Sequence, residues 1–159
     1  MGKVIYIFKV FILLILSSSF TISADLNLDK IVSKADKTNH IMLFLHKDNC
    51  RFCEKMIFNL EDTVISNEID KGFIFVDISR DDDETILFRG KESINRDFLK
   101  EWGIDLYPTL IFLDEKGSLV YKTVGYRNPK KIIAILKYIS SRAYNNMTFE
   151  EFEDELYTK

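Results

Sequence analysis

The stretch Ile41-Met42-Leu43-Phe44-Leu45-His46-Lys47-Asp48-Asn49-Cys50-Arg51-Phe52-Cys53-Glu54-Lys55-Met56 decides how this chain is built. Its first five residues form an unbroken apolar run, the pattern of a strand covered on both faces. His46 to Asn49 is a polar turn. From Arg51 the spacing becomes helical. Cys53, Met56, Ile57, Leu60 and Val64 fall on one stripe, which predicts a helix from Arg51 to about Asn67. The cysteine pair therefore opens a helix that follows a buried strand.

Cys50 and Cys53 are the two cysteines of the chain. Cysteines used as staples gain most by closing long loops, and a pair this close constrains the unfolded chain little. Chemistry explains them better. At the start of a helix the free backbone N–H groups and the helix dipole favour an anion. That lowers the pKa of Cys50 and exposes its reactive thiolate form. Arg51 adds a positive charge beside it. Cys53 lies one turn further in, on the apolar stripe, and is expected to be buried. Cys50 is then the attacking thiol, and Cys53 resolves the mixed disulfide. No metal and no separate cofactor is expected; the redox group is the Cys50–Cys53 disulfide itself. A zinc site normally needs four ligands. His46 offers a third, with His40 at the far end of the strand. Covalent haem attachment needs His after the second cysteine, where this chain has Glu54. His46, four residues before Cys50, either helps stabilise the thiolate or is an ordinary loop histidine.

Outward from this centre, Asp25 to Asn39 predicts a first amphipathic helix, with Leu28, Ile31, Val32 and Ala35 on one side. Phe73 to Ile78 predicts a second buried strand after Gly72. Arg80 to Glu84 is a charged turn, and Thr85 to Glu92 a small hairpin turning near Gly90. Ile94 to Trp102 is helical and stops at Gly103. Thr109 to Leu113 and Ser118 to Val124 are strands joined by a turn at Asp114 to Gly117. Pro129, tolerated at a helix start, opens a helix that runs to about Arg142. Strands joined through helices give a parallel pair with right-handed crossovers, and the closing hairpin is antiparallel. The expected fold is α/β: a mixed central sheet flanked by helices on both faces, with an extra C-terminal helix. In that last helix Thr148 and Glu151 form a capping box. Phe149, Phe152 and Leu156 share one face, suited to docking on the domain or to a partner.

The N-terminus has a different character. Lys3 and Lys9 precede the apolar run Val10 to Leu16, then serines and small residues up to Ala24. That order is a secretory signal peptide. The domain plan is therefore 1–24 signal peptide, 25–143 folded domain and 144–159 acidic helical tail. Counting the apolar run from Val4 leaves an uncleaved membrane anchor as the alternative, and the destination is the periplasm or the exterior. Removing 1–24 takes away two of the 22 Lys and Arg and none of the 25 Asp and Glu, leaving 20 bases against 25 acids. A net charge of −5 gives no reason to expect nucleic acid.

Tyr107-Pro108-Thr109 puts a proline at the entrance to an apolar strand. Such prolines mark edges and bends. Local sequence favours an ordinary trans bond, and a cis bond would turn the chain sharply.

The run from Gly103 to Leu113, followed by Glu115-Lys116-Gly117 and Val124-Gly125-Tyr126, resembles the C-terminal half of a thioredoxin. Asp48 to Met56 resembles its active-site turn and helix. The likeness covers most of Ile41 to Ile139. The Thr85 to Glu92 segment and Tyr126-Arg127-Asn128-Pro129 resemble the secreted bacterial thioredoxin-like branch associated with sulfur oxidation and cytochrome c maturation. The resemblance implies a thioredoxin fold and a thiol–disulfide oxidoreductase. It implies that Pro108 is cis and packs against the cysteines. Tyr107 would offer its backbone to an extended substrate, and Gly125 and Tyr126 would line the same surface. Arg51 and Phe52 stand where cytoplasmic thioredoxins have Gly-Pro and would tune the potential. Asn49 replaces their Trp, and Phe44 replaces a buried acid. The implied activity is a disulfide reductase acting on disulfide-containing proteins or small thiols. Its electrons would come from a membrane redox protein, and no dimerisation segment is visible, so a monomer is expected. A disulfide oxidase or isomerase, or a metal-binding module on the same fold, are the alternatives.

Overall fold

The computed structural model describes residues 24–36 and 39–158. All but the last residue of the expected signal peptide lies outside the described residues. In chain order the elements are β1 (Leu26–Asn27), α1 (Leu28–Lys34), β2 (His40–His46), α2 (Arg51–Leu60), α3 (Thr63–Gly72), β3 (Phe73–Ser79), β4 (Thr85–Phe88), β5 (Lys91–Ile94), α4 (Asn95–Glu101), β6 (Thr109–Leu113), β7 (Leu119–Val124), α5 (Pro129–Ser140) and α6 (Phe149–Thr158). A short 3₁₀ turn, Ala143–Asn145, joins the last two helices.

The central sheet has the order β3-β2-β6-β7. β3 runs parallel to β2 through the helical crossover, and β6 and β7 are antiparallel. β2 and β6 occupy the middle and are buried on both faces, as their apolar runs require. Side chains alternate across the sheet. Met42, Phe44, Leu110 and Phe112 face a core closed by α2, α3, α5 and α6. Ile41, Leu43, Leu45, Ile111 and Leu113 face a second core closed by α1, α4 and the hairpin. Burying a side chain such as Phe44 or Phe112 contributes about 1.5–3 kcal/mol of transfer free energy. This is the thioredoxin fold, with its mixed sheet between helices.

Three expectations need correction. The first helix is shorter than Asp25 to Asn39, because Leu26 and Asn27 pair in parallel with Ile86 and Leu87 of β4. Asn27 then caps α1 by accepting from the Lys30 N–H at 2.7 Å. With β5 these strands make a separate three-stranded sheet. Carboxylates at the start of the chain hold it. Asp25 accepts from the N–H and hydroxyl of Thr85, which keeps its carboxyl below the usual range. Asp29 accepts from the N–H groups of Arg89 and Gly90 at 2.6 and 2.8 Å. Both turn residues have positive φ, as the tight twist of a two-residue hairpin requires.

The expected helix from Arg51 to Asn67 is two helices. It stops at Leu60, and Asp62 caps the next by accepting from the Val64 N–H at 3.0 Å. Val64, placed on the buried stripe by its spacing, is 60% exposed; Ile65 and Ile69 are buried instead. Finally, β3 is an edge strand rather than a strand buried on both faces. Its Phe75 and Asp77 are exposed. The C-terminal helix lies on α5, with Phe149 inside the first core. Its capping box is closed: the Glu151 carboxylate accepts from the Thr148 N–H at 2.8 Å, and the Thr148 hydroxyl accepts from the Glu151 N–H.

Candidate active site

The strand β2 delivers the chain to its C-terminal end at His46, where the turn must reverse direction into α2. Asn49 does this with φ +53°, a left-handed conformation that Asn tolerates better than most residues. Cys50 follows in extended conformation as the N-cap of α2. N-caps normally place a side-chain oxygen over the first turn. Here it is sulfur: the Cys50 Sγ accepts from the Cys53 N–H at 3.2 Å. The Cys50 carbonyl accepts from the N–H groups of Cys53 and Glu54. Cys50 is half-buried, whereas Cys53 is only 2% exposed beneath the helix. The two are joined as a disulfide, with Cα atoms 5.1 Å apart. Reduction would leave the Cys50 sulfur under the same donor, which stabilises a thiolate.

The other predicted residues reach this place from β6 and β7. Leu45 of β2 stands opposite Thr109 of β6, so the His46 end of one strand neighbours the Pro108 end of the other. The Tyr107–Pro108 peptide bond is cis. The Pro108 carbonyl accepts from the Gly125 N–H at 2.7 Å, and Gly125 has φ +88°, which favours glycine. The next residue, Tyr126, lies with its ring 6.3 Å from that of Phe52. The Cys50–Cys53 turn, Pro108 and the Gly125–Tyr126 pair thus meet at one end of the sheet. Arg51 and Phe52 both face solvent, Phe52 with 57% of its surface exposed. Tyr107 turns its ring toward the second core, and its hydroxyl donates to the Ile104 carbonyl at 3.2 Å. Burial raises the pKa of that hydroxyl.

His46 is the last residue of β2 and half-covered. Its Nε2 lies 2.9 Å from Asp77 Oδ1, and its ring stacks on Phe44 at 5.2 Å. The hydrogen bond to Asp77 raises the imidazole pKa above its usual value, against the opposing effect of burial. Asp77 thus holds the imidazole at the base of the cysteine turn and favours its protonated form. Phe44, 1% exposed, lies opposite Asp77 in the sheet register. An acid is thus present on the neighbouring strand, engaged with His46. Among the described residues no group of three or more His, Cys, Asp or Glu is placed to hold a metal ion.

Two contributors were missed by the sequence reading. Asp77 gave no local signal as the partner of His46. Asn59 did give one, as a polar residue on the buried face of α2. It donates from Nδ2 to the Tyr126 hydroxyl at 3.1 Å and to the Arg127 carbonyl at 3.2 Å. It thereby ties the cysteine helix to the loop that carries Tyr126.

Comparison with known proteins bears on the fold and the family. No curated protein matches the sequence. Among solved structures, the fold is similar to a thioredoxin-fold protein from Helicobacter pylori, with 16% identity, a TM-score of 0.62, and 79% of this chain and 83% of that one covered. It is also similar to a thioredoxin from Thermus thermophilus, at 21% identity and TM-score 0.51, covering 64% and 73% of the two chains. A thioredoxin from Malassezia sympodialis gives 19% identity and TM-score 0.52, covering 74% and 93%. At these identities the likeness concerns the fold. The family described as the thioredoxin-like domain matches residues 26–140. With a Cys-x-x-Cys disulfide that suggests thiol–disulfide exchange, this chain belongs to the thioredoxin-like domain family.

Proposed function

We propose that the protein is an exported disulfide reductase of the secreted bacterial thioredoxin-like branch, acting as a monomer through Cys50 and Cys53. The observation that carries this reading is the asymmetry of the pair: a half-exposed sulfur capping a helix, joined to a buried one. In the reduced protein the Cys50 thiolate attacks one sulfur of a substrate disulfide. A bond forms between Cys50 and that sulfur, and the other substrate sulfur leaves as a thiolate and takes a proton. The Cys53 thiolate then attacks the Cys50 sulfur. The Cys50–Cys53 disulfide closes, and the second substrate thiol is released. Two electrons pass to the substrate. They are restored by a dithiol donor, for which a membrane redox protein is the proposed source. Disulfide-containing proteins or small-thiol disulfides are the proposed substrates, and nucleic acid is not.

Arg51 favours the anionic form of Cys50, as does His46 in its protonated form. Phe52, Leu106 and Val124 are exposed apolar side chains on the three segments that meet at the site. They suit a substrate polypeptide laid beside Pro108 and the Tyr107 backbone. Mixed-disulfide trapping tests the order of attack. Cys53→Ser should accumulate covalent complexes through Cys50, whereas Cys50→Ser should accumulate few. Equal trapping by both would refute the assigned roles.

A further inference from the structure

We propose that the groove between β7, the loop after it and α6 holds the polypeptide segment flanking the disulfide of a protein substrate, with one acidic side chain of that segment bound by Arg127 and Tyr121. This rests on the disulfide-exchange reading above and names its substrate class. The groove has a volume of about 490 Å³ and runs from Tyr126, through Tyr121 and Thr123, to Phe149 and Glu150. It is continuous with the active site, because Tyr126 also faces Phe52. Arg127 lies at the same junction: a Cβ added to Gly125 would stand 3.8 Å from its Nη1. The outer wall is α6, which falls beyond the 26–140 family match. The floor is β7, the last strand of the central sheet. Its outer edge pairs with no other strand among the described residues, and such an edge can accept an extended segment.

Two polar groups facing this groove are left with hydrogen-bonding capacity. Arg127 donates from Nη1 to the Tyr126 carbonyl at 3.0 Å, and no carboxylate pairs with it among the described residues. A guanidinium has five N–H donors, so most remain for a ligand. The Tyr121 hydroxyl has no hydrogen-bond partner among the described residues. Burial pushes its pKa up to about 12, so it stays a neutral donor at physiological pH. Lys131, by contrast, is already engaged by Glu153 and by the Phe149 ring. Free donors of this kind call for an acceptor, and a carboxylate is the one that answers a cation. Glu150 also lines the groove, and after burial its charge is the largest influence on the Tyr121 hydroxyl, ahead of Arg127. It opposes a run of acids, so the fitting segment carries a single acid followed by neutral or basic residues. A small disulfide can reach Cys50 without entering this groove.

The test uses the full chain and two disulfide peptides that differ only in a Glu or a Lys a few residues from the cystine. Affinity is read by fluorescence polarisation on analogues with the cysteines replaced by Ala. Reduction of glutathione disulfide is measured separately. The Glu peptide should bind about 5-fold more tightly than the Lys peptide, the worth of one exposed charge pair. Arg127→Glu should reverse that preference, and Tyr121→Phe should weaken it. Equal binding of both peptides, or a preference untouched by Arg127→Glu, would overturn the proposal. Failure to reduce glutathione disulfide and either peptide would instead count against the disulfide-exchange reading, while the binding data would still report on the groove.

Discussion

The two histidines of the chain stand at opposite ends of β2, about 20 Å apart at strand geometry, and the fold treats them in opposite ways. His40 is 1% exposed. Its Nε2 meets the Tyr144 hydroxyl at 2.9 Å, and its Nδ1 is buried without a hydrogen-bond partner. Burial lowers its pKa, with a further contribution from nearby Arg142. His46 lies beside the cysteine turn, bonded to Asp77, with its pKa raised. One end of the strand is closed by the C-terminal segment and kept neutral. The other end is open, carries the disulfide and favours a protonated imidazole. The difference teaches that function has been placed where β2 runs out of cover, and stability where Tyr144 and the following helix supply it.

The comparison can be broken first at the open end. Cys50→Ser should lower insulin reduction by at least about 1,000-fold while the melting curve stays close to that of the native chain. A large loss of stability would mean that the pair serves as a staple. At the closed end the effects should be reversed. His40→Ala removes a buried ring and its bond to Tyr144, and should cost about 2–3 kcal/mol in urea denaturation. Reduction of a small disulfide should be unaffected. Asn59→Ala, which releases Tyr126 and the Arg127 carbonyl, should cost about 1 kcal/mol. It should raise KM for a protein disulfide more than it changes kcat.

The smallest effect belongs to Asp77→Asn. It should move the His46 titration, followed by NMR, back toward the ordinary histidine value of about 6.5. The signs at the two ends differ. The His46–Asp77 contribution is fully present below about pH 6.5 and is lost as pH rises through the raised folded value. The His40 contribution is penalised as pH falls below about 6.5 and through its lowered folded value, because the unfolded chain takes the proton more readily. Asp77→Asn should therefore reduce stability at mildly acidic pH and have little effect well above the folded pKa of His46.

Much of this arrangement was legible in the sequence, where a feature was local and periodic. The apolar runs of β2 and β6, the proline opening α5 and the capping box of α6 all declare themselves within a few residues. The cysteine turn was legible for the same reason: strand, polar turn and helix are contiguous. What escaped depends on partners distant in the chain. The two-residue strand β1 exists because Asp25 and Asp29 reach the hairpin roughly sixty residues on. The break between α2 and α3 was hidden because Val64 continues the stripe, although Asp62 was available as a cap. The edge position of β3, which exposes Phe75 and Asp77, follows from strand order, which periodicity does not encode. The His46–Asp77 pair is invisible for the same reason.

In the proposed function the open end of β2 gives electrons to substrates. The reduction potential of the Cys50–Cys53 pair, equilibrated against glutathione buffers, tests it most directly. A reductase should give a value of about −270 mV, that of thioredoxin. A value of about −120 mV, that of a strong oxidant whose reduced form is stabilised, would contradict it and make the protein a donor of disulfides.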